Sequence, residues 1–182
     1  MKKTVLTFGL IAGAILSAMM LITLLFQDRI DFDKGAIIGY TTMVVAFLLI
    51  YFGVRSYRDN VAGGTVGFGR AFAVGALIAA MASLCYVATW EVIYFKLAPD
   101  FMVKYQAHIL EKARASGESE AAIAKKKADG EKFTKLYDNP AINAAMTFLE
   151  PLPVALIVAL VSAGVLSRRR KSGIGEVAPA RG

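Results

Sequence analysis

The chain has 182 residues, 57% of them hydrophobic and 19% charged, and its mean hydropathy is +0.54. A water-soluble domain is usually about 45–50% apolar, so the excess points to burial in a membrane rather than in a water-facing core. The net charge of +7 could suggest a nucleic-acid partner, but the basic residues cluster at the ends of apolar segments, so we predict no nucleic-acid binding.

Four long apolar segments follow one another, and we predict that each crosses the membrane as a helix. They are residues 5–26, 35–54, 71–95 and 146–166. At about 1.5 Å per residue, each can cross a hydrocarbon core of roughly 30 Å. The first two carry no charged side chain, the third contains only Glu91 and the fourth only Glu150. Because backbone polar groups in lipid must be satisfied internally, the predicted fold class is an all-α membrane protein with four transmembrane helices.

The first span follows Lys2 and Lys3, as a cleaved signal peptide would. Its apolar run of 22 residues exceeds the 7–15 residues or so of a signal-peptide core, and no small-residue cleavage site closes it. We therefore predict a retained helix.

Basic residues near the span ends predict the orientation. Nine lie on one side of the predicted membrane: Lys2, Lys3, Arg55, Arg58, Arg70, Arg168, Arg169, Arg170 and Lys171. The other side has three: Arg29, Lys34 and Lys96. The positive-inside rule then puts both termini in the cytoplasm. The arginines and Lys171 of the basic side are predicted to contact anionic headgroups, at about 1 kcal/mol each.

Residues 96–145 form the only sizeable polar segment, predicted as an extracytoplasmic helical hairpin over residues 99–138. Its two helices are joined at Ser116 and Gly117, and Gly130 could interrupt the second. Residues 1–171 are thus one transmembrane domain, and residues 172–182 a disordered cytoplasmic tail.

Three spans carry small residues at every fourth position, on one helix face. These are Gly9, Gly13 and Ser17 in the first span, Gly75, Ala79 and Ser83 in the third, and Ala155, Ala159 and Ala163 in the fourth. Such stripes let helix backbones approach closely, so we predict that they pack one compact bundle. The alternative is that an unused stripe mediates homodimerisation.

Motifs for nucleotides and metals are incomplete. The glycine-rich AGGTVGFG loop lacks the third fingerprint glycine, whose place Phe72 takes. Asp28, Asp31 and Asp33 alternate as in calcium loops, but the closing glutamate of an EF-hand is missing. One cysteine, Cys85, and one histidine, His108, build neither a zinc cluster nor a Cys–His pair. We predict no metal, no cofactor and no enzymatic activity.

The two glutamates within the spans are the candidate functional residues. With the fourth helix beginning near Met146, Glu91 and Glu150 would lie at similar depth, just under the outer surface. Each could separately reach a polar side chain or water. Alternatively they face each other as a proton- or cation-binding site, supported by Tyr94, His108 and Asn143.

Short motifs across nearly the whole chain resemble one family. They are YRD, VGFGRAF, TWEVIYF, PDFMVKY and FLEPLPV. They resemble the small bacterial membrane-protein family known as domain of unknown function four-one-nine-nine. The resemblance implies a four-span protein of the bacterial inner membrane, and it implies no activity, substrate or catalytic residue.

Three functions remain open at this point. The first is an accessory or structural protein that acts through contacts with the bilayer and with another membrane protein or a second copy of itself. The second is a small transporter or ion pathway that uses Glu91 and Glu150. The sequence shows no obvious broken helix, which argues against this function. The third is a membrane enzyme acting on a lipid, which lacks a paired nucleophile and base.

Overall fold

The computed structural model describes residues 1–26 and 29–167, and every regular element in them is helical. The helices are α1 (Lys2–Leu25), α2 (Phe32–Asn60), α3 (Phe68–Val92) with a π-helical extension (Ile93–Leu97), α4 (Phe101–Ala115), α5 (Glu120–Tyr137), α6 (Pro140–Leu149) and α7 (Leu152–Leu166). The predicted tail and the four basic residues at 168–171 lie outside the described residues, as does Asp28.

Four segments are long and apolar enough to cross a membrane, which confirms the predicted number of spans. They are Lys2–Leu25, Phe32–Asn60, Phe68–Leu97 and Pro140–Leu166. Helices α1 and α7 each pack against both α2 and α3, so they occupy opposite corners of a four-helix bundle. The α4–α5 hairpin joins the third and fourth spans, and we call the end of the bundle where it lies the hairpin end.

The small-residue stripes pack the bundle from within, as predicted. A Cβ added at Gly13 would lie 2.5 Å from the Cβ of Cys85, so α1 and α3 are in close contact there. Gly75 of α3 makes a similar approach to Ala159 of α7, where an added Cβ would lie 3.1 Å from that residue's Cβ. The stripes thus make close helix contacts inside one chain.

The fourth span differs from the prediction in its start and its continuity. It begins at Pro140 rather than near Met146, and it is interrupted between α6 and α7 at Glu150 and Pro151. Asn139 sets the earlier start, because its side-chain oxygen accepts the N–H of Ala141 at 3.0 Å and so caps α6. The interruption follows from two prolines, since neither Pro151 nor Pro153 can donate a helical hydrogen bond.

The hairpin also refines the sequence boundaries. Helix α5 begins at Glu120, not near Ser116, and Ser119 caps it by accepting the N–H of Ala122. Gly117 makes the turn with a φ of +74°. Gly130 does not interrupt α5, because its missing side chain leaves room for Gln106 of α4.

The bundle is packed unevenly along its length. The buried hydrophobic core lies in the half away from the hairpin, which we call the packed half: residues 2–16, 43–60, 68–86 and 152–166. The remainder, residues 17–25, 32–42, 87–97 and 140–149, is the open half. Among the described residues, none from Ser17 to Thr42 is buried, although they make up the end of α1 and the start of α2.

Candidate ligand-binding cavity

A cavity of about 680 Å³ occupies the open half of the bundle and is partly open to its surroundings. Its walls come from the end of α1, the start of α2, the end of α3 and both hairpin helices, and it reaches Glu150. Ligand pockets typically measure about 300–1,000 Å³ and have a mostly apolar lining with a few polar groups, which describes this cavity.

The interruption of the fourth span accounts for the cavity. Helix α7 packs against α2 and α3 in the packed half. On the hairpin side of Glu150 the fourth span consists of α6, which packs chiefly against α3 and also against α5. The start of α2 therefore borders the cavity. A continuous fourth helix would have packed against α2 at this position instead.

Glu150 lies at the junction of the two halves and lines the cavity. Its Oε2 accepts a hydrogen bond of 3.1 Å from the hydroxyl of Tyr86 on α3. Glu150 is exposed and is one of the residues that line the cavity. Among the described residues, no basic side chain forms an ion pair with it.

A chain of hydrogen bonds ties the hairpin to α3 and α6 beside the cavity. Trp90 donates from Nε1 to the hydroxyl of Tyr137 at 2.9 Å, and this hydroxyl lies 3.1 Å from that of Thr147. The Thr147 hydroxyl donates to Oδ1 of Asn143, so its single proton is used and Tyr137 must be the donor to Thr147. Burial raises the pKa of Tyr137, which keeps this phenol protonated.

The same network closes on the backbone. Asn143 is fully buried and donates from Nδ2 to the carbonyl oxygen of Tyr137 at 3.2 Å. Next to it, the hydroxyl of Tyr94 donates to Asp138 at 2.7 Å. These bonds fix the end of α5 to α3 and α6 while the cavity beside them stays open.

The other side of the hairpin meets α2 through aromatic rings. The ring of Phe32 lies 5.7 Å from Phe101, 5.5 Å from Tyr105 and 5.3 Å from His108, measured between ring centres. Phe32, Phe101 and Tyr105 all line the cavity, so this cluster forms part of its wall at the hairpin end.

A charged cluster lies beside the aromatic one. His108 Nδ1 is 3.4 Å from Asp31, and its Nε2 is 3.8 Å from Asp33. One ligand atom from each of these three residues falls within 4.8 Å of the others, a spacing that could hold a metal ion. However, Lys112 donates to Asp33 at 2.6 Å, and this hydrogen bond raises the pKa of Lys112. The lysine already neutralises one carboxylate, so charge balance does not call for a metal.

Glu91 has different surroundings from Glu150. It does not line the cavity, and its Oε1 is buried without a hydrogen-bond partner among the described residues. Two of the three predicted supporting residues, Tyr94 and Asn143, bond to Asp138, Tyr137 and Thr147 rather than to either glutamate. The third, His108, lies near Asp31 and Asp33. The pairing of the two glutamates therefore receives no support from shared contacts.

The predicted headgroup-binding arginines within the described residues lie at the end opposite the hairpin. Arg58 forms an ion pair with Asp59 at 2.7 Å, and Arg55 approaches the same carboxylate at 3.6 Å. Arg70 is exposed at the start of α3.

Sequence reasoning found Glu150 but missed most of the cavity. Tyr86 and Trp90 are four residues apart, so they share one face of α3, and this spacing could have indicated an aromatic wall. Nothing in the sequence could have placed Tyr137 there, because it comes from α5 after a chain reversal.

Of three comparisons with known proteins, one gave a match. Neither curated proteins nor solved structures gave a significant match. The family described as Protein of unknown function (DUF4199) matches residues 7–168, which is most of the chain and includes all four spans and the hairpin. This chain is therefore a member of the DUF4199 family.

Proposed function

We propose that this protein binds an amphipathic molecule from the membrane in the cavity of its open half, and that it acts without catalysis. The observation that carries the proposal is the cavity itself: about 680 Å³, largely apolar, and reaching the carboxylate of Glu150. Protein interiors are normally packed as densely as organic crystals, so space of this size beside a dense core favours a ligand site over a packing fault.

The chemistry of the lining supports binding rather than turnover. Among the described lining residues there is no histidine, serine or cysteine, and the two threonines, Thr23 and Thr42, donate their hydroxyl protons to backbone carbonyls rather than to a base. Among the described residues, the hydrogen-bond partner of Glu150 is the hydroxyl of Tyr86. Lipid modification is accordingly the weakest of the three functions considered.

Ligand retention tests the proposal. The protein would be extracted in mild detergent and analysed by native mass spectrometry, and we expect wild-type protein to retain a bound amphipathic molecule. The variant Gly39→Leu should lose it, since Gly39 lines the cavity and has no atom within 4 Å of an added Cβ. Gly164→Leu is the matched control, because Gly164 also has free space around it but lies outside the cavity. Equal retention by all three proteins would refute the proposal.

Transport is a second candidate, favoured by the interruption of the fourth span. Discontinuous helices commonly form the binding sites of membrane transporters, and here the discontinuity coincides with Glu150. Flux into liposomes is the test. Uptake that requires Glu150 would favour transport, whereas binding without flux would favour a purely binding role.

The accessory role in contact with another membrane protein is also still a proposal. Co-purification from native membranes under mild conditions tests it, with a partner expected at fixed stoichiometry. A monodisperse monomer free of any partner would argue against it.

We also propose a location in the bacterial inner membrane, with both termini in the cytoplasm and the hairpin outside. The nine-to-three distribution of basic residues supports this orientation. Reporter fusions after Asp59 and after Ser119 test it. An exported reporter should be active only after Ser119, and activity only after Asp59 would reverse the orientation.

A further inference from the structure

We propose that the occupant of the cavity is an amphipathic organic cation whose ammonium group lies between Glu150 and the aromatic wall. This inference rests on the proposed binding function and names its ligand class. It starts from an imbalance of charge. Among the described lining residues, the charged side chains are Glu150, Asp31 and Lys104, two acids and one base. Lys104 forms an ion pair at 2.8 Å with Asp100, the N-cap residue of α4.

The carboxylate of Glu150 is only partly satisfied by the protein. It accepts a hydrogen bond at Oε2 from Tyr86, and the described residues give it neither a second hydrogen bond nor an ion pair. A carboxylate in apolar surroundings is stabilised by an opposite charge, and a cationic ligand would supply it.

The backbone around Glu150 offers oxygen atoms that could face a cation. Glu150 is the C-cap of α6 and Pro151 is the N-cap of α7, so the opposite partial charges of the two helix ends largely offset each other there. Pro151 and Pro153 have no N–H groups, so the carbonyls of Thr147 and Leu149 lose their helical partners. In transporters with interrupted spans, such helix ends and free carbonyls coordinate cations.

The wall of the cavity suits an organic cation better than a metal ion. Tyr40, Tyr86, Trp90, Phe101, Phe133 and Tyr137 line it. Aromatic faces attract ammonium groups and form the binding sites of quaternary ammonium ligands. A hard metal ion would need several oxygen ligands close together, whereas the described residues give Glu150 one hydrogen-bond partner, the Tyr86 hydroxyl. The apolar part of the cavity, which is partly open, would hold the hydrocarbon portion of the ligand.

The intrinsic fluorescence of the protein can be used to measure ligand binding. Trp90 is the only tryptophan of the chain and lines the cavity, so its fluorescence reports on occupancy. The full-length protein would be placed in phosphatidylglycerol nanodiscs and titrated with three probes of equal chain length: decyltrimethylammonium, decyl glucoside and decyl sulfate. We expect saturable binding with the cation tightest.

The variant Glu150→Gln should weaken binding of decyltrimethylammonium by at least roughly tenfold, since a hydrogen-bonded charge is lost. The charge-matched control Glu120→Gln should not, because Glu120 is exposed on α5 outside the cavity. If Glu150→Gln fails to fold, the preference for the cation over the glucoside is compared between wild type and Gly39→Leu in the same nanodiscs, because anionic phosphatidylglycerol by itself concentrates a cationic amphiphile at the membrane surface. A preference that Gly39→Leu retains in full would overturn the cation assignment.

The outcomes separate this inference from the proposed function. Equal affinity for the cation and the glucoside, or an unchanged affinity in Glu150→Gln, would overturn the cation assignment and leave a binding cavity. No saturable signal with any probe would overturn both. Adding phosphatidylethanolamine to the nanodiscs distinguishes the sources of the cation. Competition with decyltrimethylammonium would support an amine-bearing lipid, and its absence with retained cation preference would support a soluble amphipathic amine.

Discussion

The packed half and the open half are built from the same four spans, yet different contacts hold the helices together in each. In the packed half, glycine and alanine bring backbones together, as Gly13 does against Cys85 and Gly75 against Ala159. In the open half, α1 and α2 bury no residue from Ser17 to Thr42, and the hairpin is held by rings and hydrogen bonds instead.

The difference in packing between the two halves indicates where this protein can accommodate a ligand. Association of helices in lipid depends on close van der Waals contact, which small residues allow. Large rings bonded at their polar ends, such as Trp90 and Tyr137, hold helices in place without filling the space between them. The junction between the two arrangements is Glu150, where the fourth span is interrupted.

The largest effect should come from placing the same side chain in each half. Gly13→Leu should lower the free energy of unfolding by about 3 kcal/mol, because even a Cβ would lie 2.5 Å from Cys85. Gly39→Leu should not lower it, since nothing lies within 4 Å of its added Cβ. Thermal unfolding in one detergent measures both variants. Similar losses in the two would mean that the halves are equally packed.

A smaller loss of unfolding free energy is expected when the hydrogen bonds that tie the hairpin to α3 and α6 are broken. Asn143→Ala would leave the carbonyl of Tyr137 and the hydroxyl of Thr147 without their partner. An unsatisfied buried group of this kind costs on the order of 2 kcal/mol, which the same unfolding measurement would detect. Asn60→Ala is the control, because Asn60 is exposed and bonds only to Ser56. Equal stability of the two variants would show that the network does not hold the hairpin.

The junction can be tested by restoring a continuous fourth helix. In the double variant Pro151→Ala and Pro153→Ala, the carbonyls of Thr147 and Leu149 would regain their helical partners. We expect the fourth span to straighten along α2 and the cavity to shrink, with decyltrimethylammonium binding at least about tenfold weaker, or 1.4 kcal/mol. Unchanged affinity would mean that the interruption does not create the cavity.

The smallest effect should come from the charged cluster of Asp31, Asp33, His108 and Lys112 at the hairpin end. Lys112→Met removes the ammonium that pairs with Asp33, an exposed contact that adds little to global stability. We expect unchanged thermal unfolding but faster amide hydrogen exchange in α4 alone, because one of its links to α2 is lost. Lys125→Met on α5 is the control. Equal exchange in both variants would show that the pair does not anchor α4.

Much of the fold could be predicted from the sequence. Charge-free runs of membrane length predict spans because an unsatisfied polar group is costly in lipid, and this argument needs no tertiary contact. The stripes around Gly13 and Gly75 predicted tight packing for a similarly local reason, since residues four apart share a helix face. Glu150 stood out as a charge in an apolar run.

Only the tertiary structure decided what surrounds that charge. Pro151 and Pro153 allowed either a first helical turn or a kink, and the choice depended on Asn139, eleven residues before Glu150, which caps a separate α6. The wall opposite Glu150 comes from α2 and from the hairpin, which are distant in sequence and have no local signal that aims them at it. Periodicity describes one helix at a time, whereas a cavity is the space that several helices leave between them.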